Sequence, residues 1–364
     1  MFKQFFLSIL AVIPASISSK DVEIAGKAVT LSKVIRVSIL LSVFFLVVAL
    51  ISMIVGPSQV GTFMFLKRFL SGICRGDLHL SDIEKTILFS IRLPRILCAA
   101  LVGASLASAG VIFQGLLRNP LADPYILGIS GGSAVGAVIA IIIGLNTFPF
   151  GAPCLSFLGA LLTIILVYAI ARTNRELQSN ILLLAGVIVN AFFSAVIMFL
   201  VSISSSSQIH SVVFWLMGDM SLVASDDLVP VGLFLIVGMA VMYIYTRHLN
   251  LMVAGEETAM QLGVDVERTK KILFLAASLV TGAAVAISGI IGFVGLIIPH
   301  VMRMLLGSDH RLLLPSSFLV GASFLVMADT IARTIMAPAE LPVGVITALC
   351  GAPYFIYLLR RRNV

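Results

Sequence analysis

Residues 92–132 read RLPRILCAALVGASLASAGVIFQGLLRNPLADPYILGISGG. Between Leu93 and Leu117 the only charge is Arg95, so this run exceeds the ~20 apolar residues that a helix needs to cross a bilayer. Arg118-Asn119-Pro120 then breaks it, because a charge and a proline together end a membrane helix. Inside the run, Gly103, Ala104, Ser105, Ala107, Ser108, Ala109 and Gly110 leave little side chain between backbones. Lipid supplies no hydrophobic drive for helix association, and such residues let helices pack closely instead.

The rest of the chain repeats this character. Of 364 residues 60% are hydrophobic and 11% charged, with a mean hydropathy of +1.13. Soluble domains carry about 25% charged residues. A soluble single-core enzyme, a disordered chain and a disulfide-stapled secreted protein are therefore excluded. Apolar runs predict ten helices, near 37–56, 93–117, 125–145, 155–171, 181–203, 228–246, 272–290, 291–306, 313–333 and 342–359. The seventh and eighth are divided only by Gly289 and Gly292. The expected fold class is an all-α polytopic membrane protein. Residues 1–36 read as a cytoplasmic tail: the apolar run after Lys3 ends at Pro14, too short to span, and Ala15-Ser16-Ile17-Ser18 is a poor cleavage site. Residues 37–364 form one transmembrane domain, interrupted by a polar loop at 247–271.

The net charge of +7 orients such a chain rather than binding nucleic acid. With both termini inside, most Lys and Arg fall on the cytoplasmic side, as the positive-inside rule expects. Lys67, Arg68, Arg75, Lys85, Arg92 and Arg95 break the rule in or beside the first external loop, and Arg333 closes the ninth helix. An acidic partner would explain them. So would simple tolerance in a loop that also holds Asp77, Asp82 and Glu84.

Two segments align without a gap, GASLASAGVIFQGLLRNP (103–120) and GAAVAISGIIGFVGLIIP (282–299). They begin in helices that cross in opposite senses, a weak inverted repeat of the kind transporters use. Ionisable groups within helices are few. Asp329 and Arg333 are placed to pair at i,i+4, and His300 follows Pro299. Cys74, Cys98, Cys154 and Cys350 form no C-x-x-C pair and no metal set. No catalytic constellation is present, which argues against a membrane-embedded enzyme, and an ion-gradient-driven secondary transporter lacks intramembrane carboxylates in register. No G-x-x-x-x-G-K-[ST] occurs, so the chain has no P-loop. Gly255 to Gly263, GEETAMQLG, reads as a short amphipathic helix ended by glycine.

Taken together, RLPR at 92–95, the 103–132 stretch, GEETAMQLGVD, SGIIGFVGLIIPHVMR, SDHRLLLP, ADTIAR and AELPVGVITALCGAP resemble the FecCD-type permeases, the membrane subunits of ABC importers for iron-siderophores, haem or cobalamin. The match covers roughly residues 85–360 in the family's order. The resemblance implies a type II ABC importer permease fold, a homodimer with its pathway on the dimer axis, two ATPase subunits on the cytoplasmic face, and a periplasmic or lipid-anchored binding protein outside. ATP and Mg would be bound by the ATPase, leaving no cofactor in this chain, and the cargo would be a small-molecule metal chelate. Carried over residue by residue, it implies binding-protein docking by Arg92, Arg95 and Arg333. It likewise implies ATPase coupling by Glu256, Glu257, Ala259 and Gly263, and a cytoplasmic gate at Ser179 and Asn180. Asn190 and Ser194, one turn apart, are expected to line the pathway or to hydrogen-bond between helices. The location implied is the cytoplasmic (inner) membrane.

Overall fold

The computed structural model describes residues 29–56, 82–145, 148, 150–173, 176–221, 223 and 225–362. Most of the expected tail (1–28) and of the first loop (57–81), including Lys67, Arg68, Cys74, Arg75 and Asp77, lies outside these residues.

Thirteen helices make up nearly all of the described chain. In order they are α1 (Leu31–Ile54), α2 (Asp82–Leu116), α3 (Ile129–Ile142), α4 (Gly151–Ala171), α5 (Ser179–Ser202), α6 (Ser206–Leu216) and α7 (Ser225–Ile244). There follow α8 (Thr246–Ala254), α9 (Glu256–Gln261), α10 (Val266–Ser288), α11 (Val294–Leu306), α12 (His310–Thr334) and α13 (Val343–Arg362). A two-residue ribbon, β1 (Arg172–Thr173) with β2 (Glu176–Leu177), joins α4 to α5. Among the described residues seven helices are long and apolar enough to span a membrane, and three shorter apolar ones (α3, α11 and residues 343–358 of α13) fall where the other expected helices lie.

α2 is the central rod. It packs on α10, α11 and α12, while α3 pairs with α4 and α1 lies outside against α12. The small residues of α2 set these distances: a Cβ on Gly103 would collide with Gly321 O of α12, and one on Gly110 with Gly295 O of α11. α3 and α4 close in the same way, with Ser133 and Ser156 hydroxyls 2.7 Å apart. By contrast α1 presents an apolar surface outward, with Leu31, Ile39 and Leu40 all exposed, as a lipid-facing helix does.

Four boundaries differ from the sequence expectation. α1 starts at Leu31, where the Thr30 hydroxyl accepts from Lys33 N, so residues 31–36 belong to the helix and not to the tail. α2 begins at Asp82, eleven residues early, through a π-helical stretch (Thr86–Arg92). Pro94 lies two residues past this stretch, where the wider π turn accommodates a proline ring that would clash with an ordinary preceding turn. The 247–271 loop is largely helical: α8 and α9 meet at Gly255 (φ 156°), and α10 already starts at Val266. α6 fills part of the segment expected to be loop.

The repeat is not matched by local geometry. α2 runs straight through Gly110, whereas α10 stops at Ser288 and the chain turns at Gly289 (φ 66°) before Phe293 (φ 70°) starts α11. Gly289 abuts Trp215 O at a positive φ, and both conditions exclude a side chain there.

Candidate functional site

At the α9 end of the bundle, the first residue of α9 is tied to its neighbours by charge. Glu256 pairs with Lys270 of α10 (2.8 Å) and with Arg118, just past α2 (3.2 Å). Lys270 also approaches Glu267 at 3.4 Å, and Glu267 accepts a 2.6 Å hydrogen bond from Leu177 N in the ribbon. The Arg118 guanidinium donates as well to Met252 O at the end of α8 (2.7 Å). Lys270 is buried, so its two carboxylates hold a charge that would otherwise be costly to enclose. Ala259 is wholly buried and sets α9 down on this base. Glu257, Thr258, Met260, Gln261, Leu262 and Gly263 face outward, and Gly263 (φ 83°) ends the helix. The four residues expected at this position thus divide: Glu256 and Ala259 anchor, while Glu257 and Gly263 are presented.

Beside α9 lies a cavity of about 620 Å³, lined among others by Ser179, Asn180, Glu256, Met260 and Lys270. The two expected gate residues are the first two of α5. Ser179 donates to Leu116 O (3.2 Å) and Asn180 is exposed. Gate and coupling candidates, 76 residues apart for Asn180 and Glu256, therefore share one cavity wall. Asn190 and Ser194 lie deeper in α5. Ser194 donates to Asn190 O (2.9 Å), and a Cβ on Gly131 would stand 2.5 Å from Asn190 Oδ1. Both are thus half-buried where α5 packs on α3, and the outward face of α5 is apolar: Leu184, Val187, Ile188 and Phe192.

The opposite end holds the three arginines expected to dock a binding protein. Arg92, Arg95 and Arg333 are all buried, and each is engaged within the chain. Arg92 donates to Met53 O (2.7 Å) and Ile54 O (3.0 Å) at the end of α1. Arg95 binds Asp329 (2.9 Å) and Glu340 (2.5 Å). Arg333 binds Asp329 (3.1 Å) and donates to the Ser52 hydroxyl (2.8 Å). These arginines join α1, α2, α12 and the segment before α13. Sequence spacing shows only the Asp329–Arg333 pair; Arg95, Glu340 and Ser52 reach the cluster from 234, 11 and 277 residues away from Asp329.

Comparison with known proteins places this arrangement. The model of the FecCD transport family matches residues 40–361. The cobalamin import system permease of Halobacterium salinarum is 49% identical over 283 residues, 78% of this chain and 76% of that protein. The hemin transport system permease of Yersinia pestis is 39% identical over 344 residues, 90% of this chain and 98% of its own. A solved metal-chelate type ABC transporter in an inward-facing conformation superposes with a TM-score of 0.77 at 33% identity, covering 90% of this chain and 99% of its own.

Proposed function

We propose, from the premise that this chain belongs to the FecCD transport family, that it is the membrane subunit of an ATP-driven importer for a ferric siderophore, haem or cobalamin. Two copies form the pathway, two separate ATPase subunits dock at the α9 end, and a binding protein delivers cargo at the other end. The basic residues at the α9 end (Arg118, Arg172, Arg247, Arg268, Lys271 and Arg311) put that end in the cytoplasm by the positive-inside rule. Both termini then lie in the cytoplasm, and the membrane is the inner one.

The observation that carries this reading is the placement of α9. Its outward face offers Glu257, Met260 and Leu262 to a partner, while Glu256 fixes its base to α10 and to the end of α2. A push on α9 is thus transmitted through Lys270 and Arg118 to the helices that carry the core, and through the shared cavity to Ser179 and Asn180. ATP binding closes the ATPases, moves α9 and opens the pathway to the loaded binding protein; hydrolysis resets it. Selectivity rests with the binding protein, and a pathway of small and apolar residues need only let the cargo pass.

The test is uptake into proteoliposomes holding the permease with its ATPase, with labelled cobalamin, haem or a ferric siderophore offered on the binding protein. Uptake should require ATP on the α9 side and persist when proton and sodium gradients are dissipated. Uptake that ran without ATP and stopped with the gradient would overturn the reading in favour of a secondary transporter.

A further inference from the structure

A second cavity, about 470 Å³, opens at the α9 end between the end of α2, α8, α11 and the start of α12. Among its lining residues are Gln114, Arg118, Val253, Arg303, Met304 and His310. Of its lining residues, only Arg118 enters the transport steps proposed above.

Its chemistry can be read atom by atom. Arg303 donates to Gln114 Oε1 (2.9 Å), a neutral acceptor, and no carboxylate lies within ion-pairing distance of it among the described residues. Arg118 is already balanced by Glu256. The cavity therefore carries one uncompensated positive charge.

His310 supplies the second feature. Asn250 Nδ2 donates to Asp309 Oδ1 (2.9 Å), which fixes the orientation of that amide. Asn250 Oδ1 then accepts from His310 N (2.9 Å) and faces His310 Nδ1 at 2.6 Å. An oxygen that only accepts requires the proton on Nδ1, so Nε2 bears a lone pair. Nε2 is buried without a hydrogen-bond partner, and a Cβ on Gly115, another lining residue, would stand 3.0 Å from it. Burying an acceptor unsatisfied is unfavourable, and a ligand that donates to it removes the cost.

The surroundings narrow the ligand. Val253, Met304 and Leu305 at or beside the cavity are exposed and apolar, as suits a surface at the edge of the bilayer. We propose that this cavity binds a monoanionic phosphate bearing a hydroxyl, from an anionic phospholipid headgroup or from free phosphate. The phosphate oxygens accept from Arg303, and the hydroxyl donates to His310 Nε2. Arg118 stands on the same wall, so the bound anion draws it away from Glu256 and loosens the base of α9. That last consequence rests on the coupling role proposed above; binding itself does not.

The experiment uses the delipidated full chain and native mass spectrometry, with phosphatidylglycerol and phosphatidylcholine of identical acyl chains, and calorimetric titration of inorganic phosphate. Phosphatidylglycerol should be retained about tenfold over phosphatidylcholine, the worth of one charge-assisted contact. Arg303→Gln should bring the two lipids to near parity while the melting profile stays that of the wild type. Phosphate binding that depends on Arg303, without lipid preference, would assign the site to the free anion. Equal retention of both lipids with no phosphate binding would overturn the proposal, as would a folded Arg303→Gln with unchanged preference. Should Arg303→Gln not fold, Arg303→Lys decides: the ammonium lacks the guanidinium fork and should lose part of the preference, and full retention would overturn the proposal. No ATPase is needed for any of these readouts, so failure of the import reading would appear separately, in uptake.

Discussion

Replacing Asp329 by asparagine removes the one negative charge that lies between two buried guanidiniums. Asp329 is 1% exposed, and it holds Arg95 at 2.9 Å and Arg333 at 3.1 Å. Without it Arg95 keeps Glu340, but Arg333 keeps only neutral acceptors, the Ser52 carbonyl and hydroxyl and the Thr330 hydroxyl. Removing one member of a buried ion pair costs about 3–5 kcal/mol because its partner stays buried and uncompensated. That corresponds to a fall of roughly two to three and a half powers of ten in the folding equilibrium. Glu340→Gln should cost about 1 kcal/mol or less, since that carboxylate is over one-third exposed and solvent screens it. The assay is unfolding of the purified chain from mixed micelles by a graded denaturing detergent. Adding Arg333→Gln to Asp329→Asn should recover part of the loss, because the orphaned charge leaves with its partner. Asp329→Asn as stable as the wild type, or Glu340→Gln equally damaging, would refute the buried-cluster account. The outcome also bears on docking, because reversing Arg95 or Arg333 would unfold this cluster before any surface contact was tested.

Three further outcomes follow from the same geometry. Glu256→Gln breaks the contacts to Lys270 and Arg118, so uptake should fall while the ATPase still copurifies and hydrolyses ATP; undiminished uptake would contradict the anchoring role. Gly110→Val drives a side chain into Gly295 O and should destabilise the chain by about 1–3 kcal/mol or more, whereas Gly232→Val, where nothing lies within 4 Å, should be near neutral in the same denaturation series. At Asp309, burial acts to raise the carboxyl pKa, but hydrogen bonds from Arg311 and Asn250 and the Arg311 charge outweigh it and hold the pKa below the usual range. Its stabilising contribution is therefore full above the unfolded carboxylate value, near 3.9, and is lost as pH falls from there through the lower folded value. Melting followed from pH 6 downward should show a loss that Asp309→Asn lacks; parallel curves would refute it.

The ten apolar helices were legible because long apolar runs have few alternatives in a bilayer. Their ends were not. Glu84, Lys85 and Arg92 read as loop, yet α2 encloses Arg92 because carbonyls of α1 accept its protons, a contact some 38 residues distant. α8 was hidden by its polarity: of its nine residues only Thr246, Leu249 and Met252 are fully buried. α6 had a usable signal in Ser205 and Gln208, which form a capping box. At the candidate site, GEETAMQLG gave the short helix and its glycine stop from local spacing alone. Which of its residues anchor and which are presented depends on Lys270 and Arg118, and only the fold brings those two to Glu256.

The central claim, a membrane subunit driven by separate ATPases, is tested most directly by native mass spectrometry of the complex released gently from its own membranes. The account predicts a mass equal to two copies of this chain plus two copies of an ATPase. Repeated recovery of this chain with no ATPase attached would contradict it.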